Sequence, residues 1–103
     1  MNSSIVIALP KIDDAKKIRT ILNRHGFSVA AVCSTASTAL ASMSELDGGI
    51  LICGYKLTDR YYRDVLEDIP SYFEMLLLAS GRVIAEAPTS VLTVEMPMKV
   101  SDW

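Results

Sequence analysis

The strongest constraint on the fold of this chain is a rhythm. Short apolar runs alternate with stretches whose apolar residues recur at helical spacing. Ser4 to Leu9, SIVIAL, is rich in β-branched residues and is stopped by Pro10. A run of that kind suits a strand buried on both faces, as in a parallel sheet. Ile12, Ala15, Ile18, Ile21, Leu22 and His25 then recur near helical spacing. Asp13 and Asp14 fall in the first turn, where they complement the helix dipole. Gly26 stands where a C-terminal cap belongs, and a protonated His25 would favour the same end.

The rhythm continues along the chain. Ser28 to Val32 reads as a second strand, and Ser34 or Thr35 caps a helix through Ala36, Ala39, Leu40, Met43 and Leu46. Asp47-Gly48-Gly49 is a turn, Ile50 to Cys53 a third strand, and Gly54 to Thr58 a polar loop. A third helix is expected from Asp59, its capping residue, to Ile69, with Tyr62, Val65, Leu66 and Ile69 on one face and Pro70 as its stop. Phe73 to Ala79 contains the most apolar run and reads as a central strand. Gly81 to Ala87 has room for one or two helical turns before Pro88. Ser90 to Val94 reads as a fifth strand that Met96-Pro97 breaks, and Lys99 to Trp103 looks like the onset of a further helix.

Strands and helices that alternate with short connections imply parallel strands, right-handed crossovers and helices on both faces of the sheet. The expected fold is therefore one α/β domain over residues 1–103, in three α/β/α layers. Five strands favour the flavodoxin-like order 2-1-3-4-5, with the last helix missing or cut short. Function in such sheets gathers at the carboxyl ends of the strands, near the switch between strands 1 and 3.

Composition narrows the function classes. The chain is 103 residues with a net charge of −2, which gives no overall excess of cations for gripping a nucleic-acid backbone. Charge is uneven, however. Lys11, Lys16, Lys17, Arg19 and Arg24 stand against Asp13 and Asp14 alone, as a solvated helix face or a partner-facing patch. No apolar run reaches the roughly 20 residues that cross a bilayer, and the expectation is a cytoplasmic protein without membrane contact. Cys33 and Cys53 match no zinc or C-x-x-C spacing and read as buried free thiols. The five methionines read as core filling. No glycine-rich phosphate loop is present.

The element order, Gly26-Phe27 at the end of the first helix and the break at Met96-Pro97 resemble the receiver (CheY-like) domain of bacterial response regulators. The segments Ile52 to Leu57 and Tyr72 to Ser80 are similar to the receiver-like modules of ANTAR-type antiterminators from Firmicutes. A working receiver, on this resemblance, carries an acidic pair after strand 1 and an aspartate at the end of strand 3. These hold Mg²⁺, a hard ion that takes oxygen ligands, and accept a phosphoryl group. A hydroxyl after strand 4 and a lysine after strand 5 hold the phosphoryl oxygens.

Aligned on Gly26-Phe27, the acidic pair falls on Leu9 and Pro10, the phosphoacceptor on Gly54 and the lysine on Met96; the hydroxyl position is kept as Ser80. The resemblance thus implies a degenerate receiver with no catalytic residue, no metal and no cofactor. Lys56 is its candidate anion contact. Its implied role is that of a regulatory module of a two-component-type response regulator, not an enzyme. Its partner would be a protein or an attached RNA-binding antitermination domain, with a homodimer also compatible and no direct nucleic-acid binding by this chain. The alternative is a flavodoxin-like domain binding a small ligand or nucleotide, for which Leu9-Pro10-Lys11 supplies no phosphate loop.

Overall fold

A computed structural model of the chain describes residues 4–79 and 91–95. Its elements are β1 (Ser4–Ala8), α1 (Ile12–Arg24), β2 (Val29–Cys33), α2 (Ala36–Ser44), β3 (Gly49–Gly54), α3 (Tyr62–Asp68), β4 (Phe73–Ala79) and β5 (Leu92–Glu95). All strand pairs are parallel and the sheet order is β2-β1-β3-β4-β5. This is the expected three-layer, flavodoxin-like arrangement. The turns placed at Gly81 to Ala87, the shortened last helix and Ser90 lie outside the described residues.

Alternation along the inner strands divides the core in two. Val6, Ala8, Leu51, Cys53, Met75 and Leu77 point to one face, beneath α2 and α3, and Met43, Tyr62 and Val65 complete that layer. Ile7, Ile52 and Leu78 point to the other face, where Ala15 and Ile18 of α1 meet them. Because β1 and β3 are apolar on both faces, neither is stable as an edge or a one-sided strand. That requirement places them in the middle.

Local chemistry sets the element ends. At the end of α1 the Gly26 N–H donates to the Asn23 carbonyl and the Phe27 N–H to the Leu22 carbonyl, both near 3 Å, with Gly26 at φ +86°. This is the Schellman cap that the sequence signalled, with His25 as the closing residue. The third helix begins later than expected, at Tyr62 and not Asp59. Residues 56–61 are instead closed into a small loop by the Leu57–Arg60 backbone bond (2.7 Å) and the Lys56–Tyr61 bridge, with Leu57 driven into the core.

The two thiols are buried and unpaired. Both align with Ala8, from opposite sides of β1. They are therefore two strand spacings apart, about 9–10 Å, beyond the roughly 7 Å that a disulfide spans. Burial pushes the Cys53 thiol up to about 12, so it stays protonated and unreactive. Thiol labelling of native protein at pH 8 is expected to spare Cys53, and labelling that keeps pace with a free cysteine would contradict this burial.

Gly49 is the glycine this fold requires most. It has φ +152°, and a Cβ there would lie 1.8 Å from the Ser4 carbonyl oxygen. The G49A variant is expected to lose at least about 2 kcal/mol, read as a lowered urea midpoint.

Candidate functional site

The carboxyl ends of β1 and β3 meet at a cleft. Leu9 follows β1, its N–H donating to the Cys33 carbonyl at 3.1 Å, and Pro10 turns the chain towards α1. Gly54 closes β3 beside them. A Cβ on Gly54 would stand 3.0 Å from Leu9 Cδ2 and 3.5 Å from Pro10 Cδ. Hydrocarbon thus fills the space into which a side chain at position 54 would project. The cleft, about 340 Å³, is lined by Leu9, Pro10, Gly54 and Leu78, with Asp14, Tyr55 and Lys56 around them.

Asp14 is the carboxylate that reading along the sequence did not assign to this cleft. It lies one turn beyond Pro10, and helical side chains lean back towards the N-terminus, which brings it to the strand ends. Its spacing from Pro10, i to i+4, was the available signal. Lys56 lines the same cleft, but its ammonium sits over the Tyr61 ring, 5.3 Å from the centroid. Tyr61 in turn packs edge-on to Tyr55 at 5.4 Å. Lys56 is thereby held by a cation–π contact at the cleft mouth. Ser80 and Met96 lie outside the described residues.

Asp59 caps a helix, but not its own. Its carboxylate accepts from the Ala36 N–H at 2.7 Å and from the Ser37 N–H and hydroxyl at 3.2 and 3.3 Å. Thr35 accepts from the Thr38 N–H, so the first three amides of α2 are all satisfied. Thr58 adds two bonds from the same loop to the Ser34 carbonyl. The loop after β3 is therefore fastened to the loop after β2, and α3 starts at Tyr62, where the N-cap residue Tyr61 gives no side-chain cap. The sequence placed a cap at Asp59 correctly and assigned it to the wrong helix, since only the fold brings Ala36 to it.

Leu9, Pro10 and Gly54 supply no side-chain oxygen to the cleft, and Asp14 is the one carboxylate among the described residues that line it. Among the described residues no three His, Cys, Asp or Glu side chains gather at one point. A hard divalent ion needs several oxygens. No helix among the described residues is long and apolar enough to cross a membrane.

No family model and no curated protein matches the chain. Solved structures do. The response regulator PhyR from Brucella abortus superposes with a TM-score of 0.77 at 17% identity, covering 97% of this chain and 44% of its own. A CheY-like receiver domain from Methylobacillus flagellatus gives 0.77 at 13% identity over 98% of this chain and 92% of its own. The chain has the receiver fold. The anti-anti-sigma factor PhyR from Bartonella quintana matches at 0.76 and 16% identity, again over 97% of this chain and 43% of its own. The chain thus spans less than half the length of the two PhyR proteins and nearly all of the isolated receiver domain. At such identities the likeness is one of fold, and what this receiver fold does must come from its own side chains.

Asp59 gives a measurable consequence. The bond from the Ala36 amide, with help from Ser37, holds its carboxyl below the usual range. A depressed folded value stabilises above the unfolded pKa of about 3.9, and that gain is lost as pH falls through the folded value. D59A is therefore expected to cost about 1 kcal/mol at neutral pH. The difference from wild type should shrink as the pH is lowered through the carboxylate range, which urea titrations across pH would show.

Proposed function

We propose that this chain is a degenerate receiver: a regulatory interaction module that works by binding a partner and accepts no phosphoryl group. The observation that carries this reading is the contact between Gly54 and Leu9. The strand-end position suited to a phosphoacceptor has no side chain, and Leu9 Cδ2 stands 3.0 Å from where one would begin. Phosphoryl transfer to a receiver needs a nucleophilic carboxylate there and a metal to neutralise charge. Among the described residues the surroundings are hydrocarbon, with Asp14 the one carboxylate at the margin. Ser80 and Met96 complete the degenerate set on the sequence alignment, and Lys56 stays a candidate contact for an anion.

Without phosphorylation, only differential binding is left to bias such a module between states. The loop after β3, tied through Asp59 and Thr58 to the start of α2, is the element through which binding at the cleft would be felt elsewhere. The similarity of Ile52 to Leu57 and of Tyr72 to Ser80 to ANTAR-type modules supports an RNA-binding antitermination domain, attached or separate, as the output. On this reading the protein is cytoplasmic, has no catalytic activity and needs no cofactor.

Acetyl phosphate with Mg²⁺ is expected to add no mass to the protein. Beryllofluoride with Mg²⁺ is expected to leave the amide resonances of Gly54 to Leu57 unmoved. A phosphoryl adduct, or a shift centred on that loop, would sink the proposal. G54D is expected to remain unreactive and to melt earlier, because its side chain meets Leu9. For the output domain, a charged helical extension and a compact three-helix pattern encoded after Trp103 is the expected finding, and a stop codon there would count against an attached one.

A further inference from the structure

The described residues cover the face of the sheet beneath α1 over only part of its width. One row of side chains crosses that face: Ile7, Ile52, Leu76 and Leu92 stand in register on neighbouring strands. Exposure rises along it, from 0% at Ile7 to 6% at Ile52, partial at Leu76 and 49% at Leu92. The reason is the seat of α1, which packs on β1 and β2. Ile50, in the adjoining row, is likewise half-buried. On the opposite face β3 and β4 are sealed, with Leu51, Met75 and Leu77 at 0–2%.

We propose that the open half of this face is the docking groove for an amphipathic partner helix of about three turns with acidic residues along one flank. The inference goes beyond the proposed function and does not depend on whether the strand-end cleft accepts a phosphoryl group. Three observations identify the occupant. Parallel sheets are covered on both faces, and by helices. The floor, from Ile50 and Leu76 to Leu92, is hydrocarbon and offers nothing to a phosphate backbone. The wall is cationic. Asp14 marks the side of α1 that faces β3 and β4, because it lines the cleft with Gly54 and Leu78. Lys17, Ile21 and Arg24 follow it at i+3, i+7 and i+10, on the same side of the helix.

Among the described residues neither Lys17 nor Arg24 makes an ion pair. A helix lying beside α1 would meet them with its near flank, and carboxylates there would be matched. Glu74, exposed on β4 at the amino end of the same face, asks for a neutral or basic residue at that end. The floor along β4, five residues from Glu74 to Leu78, is about 16 Å long at 3.3 Å per residue, which is about eleven residues of helix at 1.5 Å each.

The test uses the complete 103-residue chain and two synthetic amphipathic peptides of about 12 residues. They are identical except that one carries Glu, and the other Lys, along one flank of its apolar face. Calorimetric titration is expected to show saturable binding of the Glu peptide and at least about tenfold weaker binding of the Lys peptide, the effect of two matched charge pairs. The K17E/R24E double variant should reverse that preference. L76E should abolish binding of both, with a melting curve to check that it folds; if it does not fold, the charge-reversal variant alone decides.

Equal binding of the two peptides, or no binding of either, would overturn the proposal. So would a concentration-dependent dimer that L76E or the double variant dissolves, which would make a second copy the occupant. Emission of Trp103, the only tryptophan, covers the remaining case. A blue-shifted band that reddens in L76E would show the chain's own end on this face and would also overturn the proposal.

Discussion

Two-sided burial of β1 and β3 organises this molecule. Each of these strands is hydrogen-bonded to a neighbour on both edges and apolar on both faces. Neither can be placed at a sheet edge or against water without exposing hydrocarbon. Two central strands, parallel and adjacent, in turn force crossover connections and bring the ends of β1 and β3 side by side. The cleft at Leu9, Pro10 and Gly54 is therefore a product of the core. Its position is inherited from the fold, whereas its chemistry comes from a handful of side chains.

Those side chains set the chemistry of the cleft. The strand ends bring hydrocarbon to hydrocarbon, and the polar work is done at the rim. Lys56 is engaged by an aromatic ring, and Asp59 by the amides of a helix that starts more than twenty residues earlier. The loop after β3 is consequently tied at several points: Leu57 in the core, Thr58 on Ser34, Asp59 on α2, and Tyr62 bonded back to Tyr55. A ligand entering the cleft would press on a loop whose other attachments run to the first turn of α2.

Much of this was legible in the sequence because it rests on local signals. The run SIVIAL, the apolar period of α1 and the Gly26 cap each reflect contacts within a few residues, and each element appears where its signal lies. Phe73 to Ala79 matches β4 end to end. The failures share a different physics. Asp59 looked like the cap of the helix next to it, but its partners are 22 and 23 positions away. The start of α3 moved because Leu57 found the core and closed a loop, a tertiary gain that outweighs the helix propensity of residues 59–61. Asp14 escaped assignment because its reach into the cleft depends on the angle at which α1 meets the sheet.

Leu9 and Gly54 also constrain one another's substitution. Any larger residue at position 54 runs into Leu9 Cδ2, and any smaller residue at position 9 leaves a cavity beneath an absent side chain. A larger residue at position 54 therefore needs Leu9 to give way, so substitutions at the two positions are coupled. The pair is thus an epistatic lock. Substitution is therefore less constrained at the rim of the cleft, at the half-buried Asp14 and the exposed Tyr55 and Lys56, than at its buried floor, and new binding chemistry is easier to gain there.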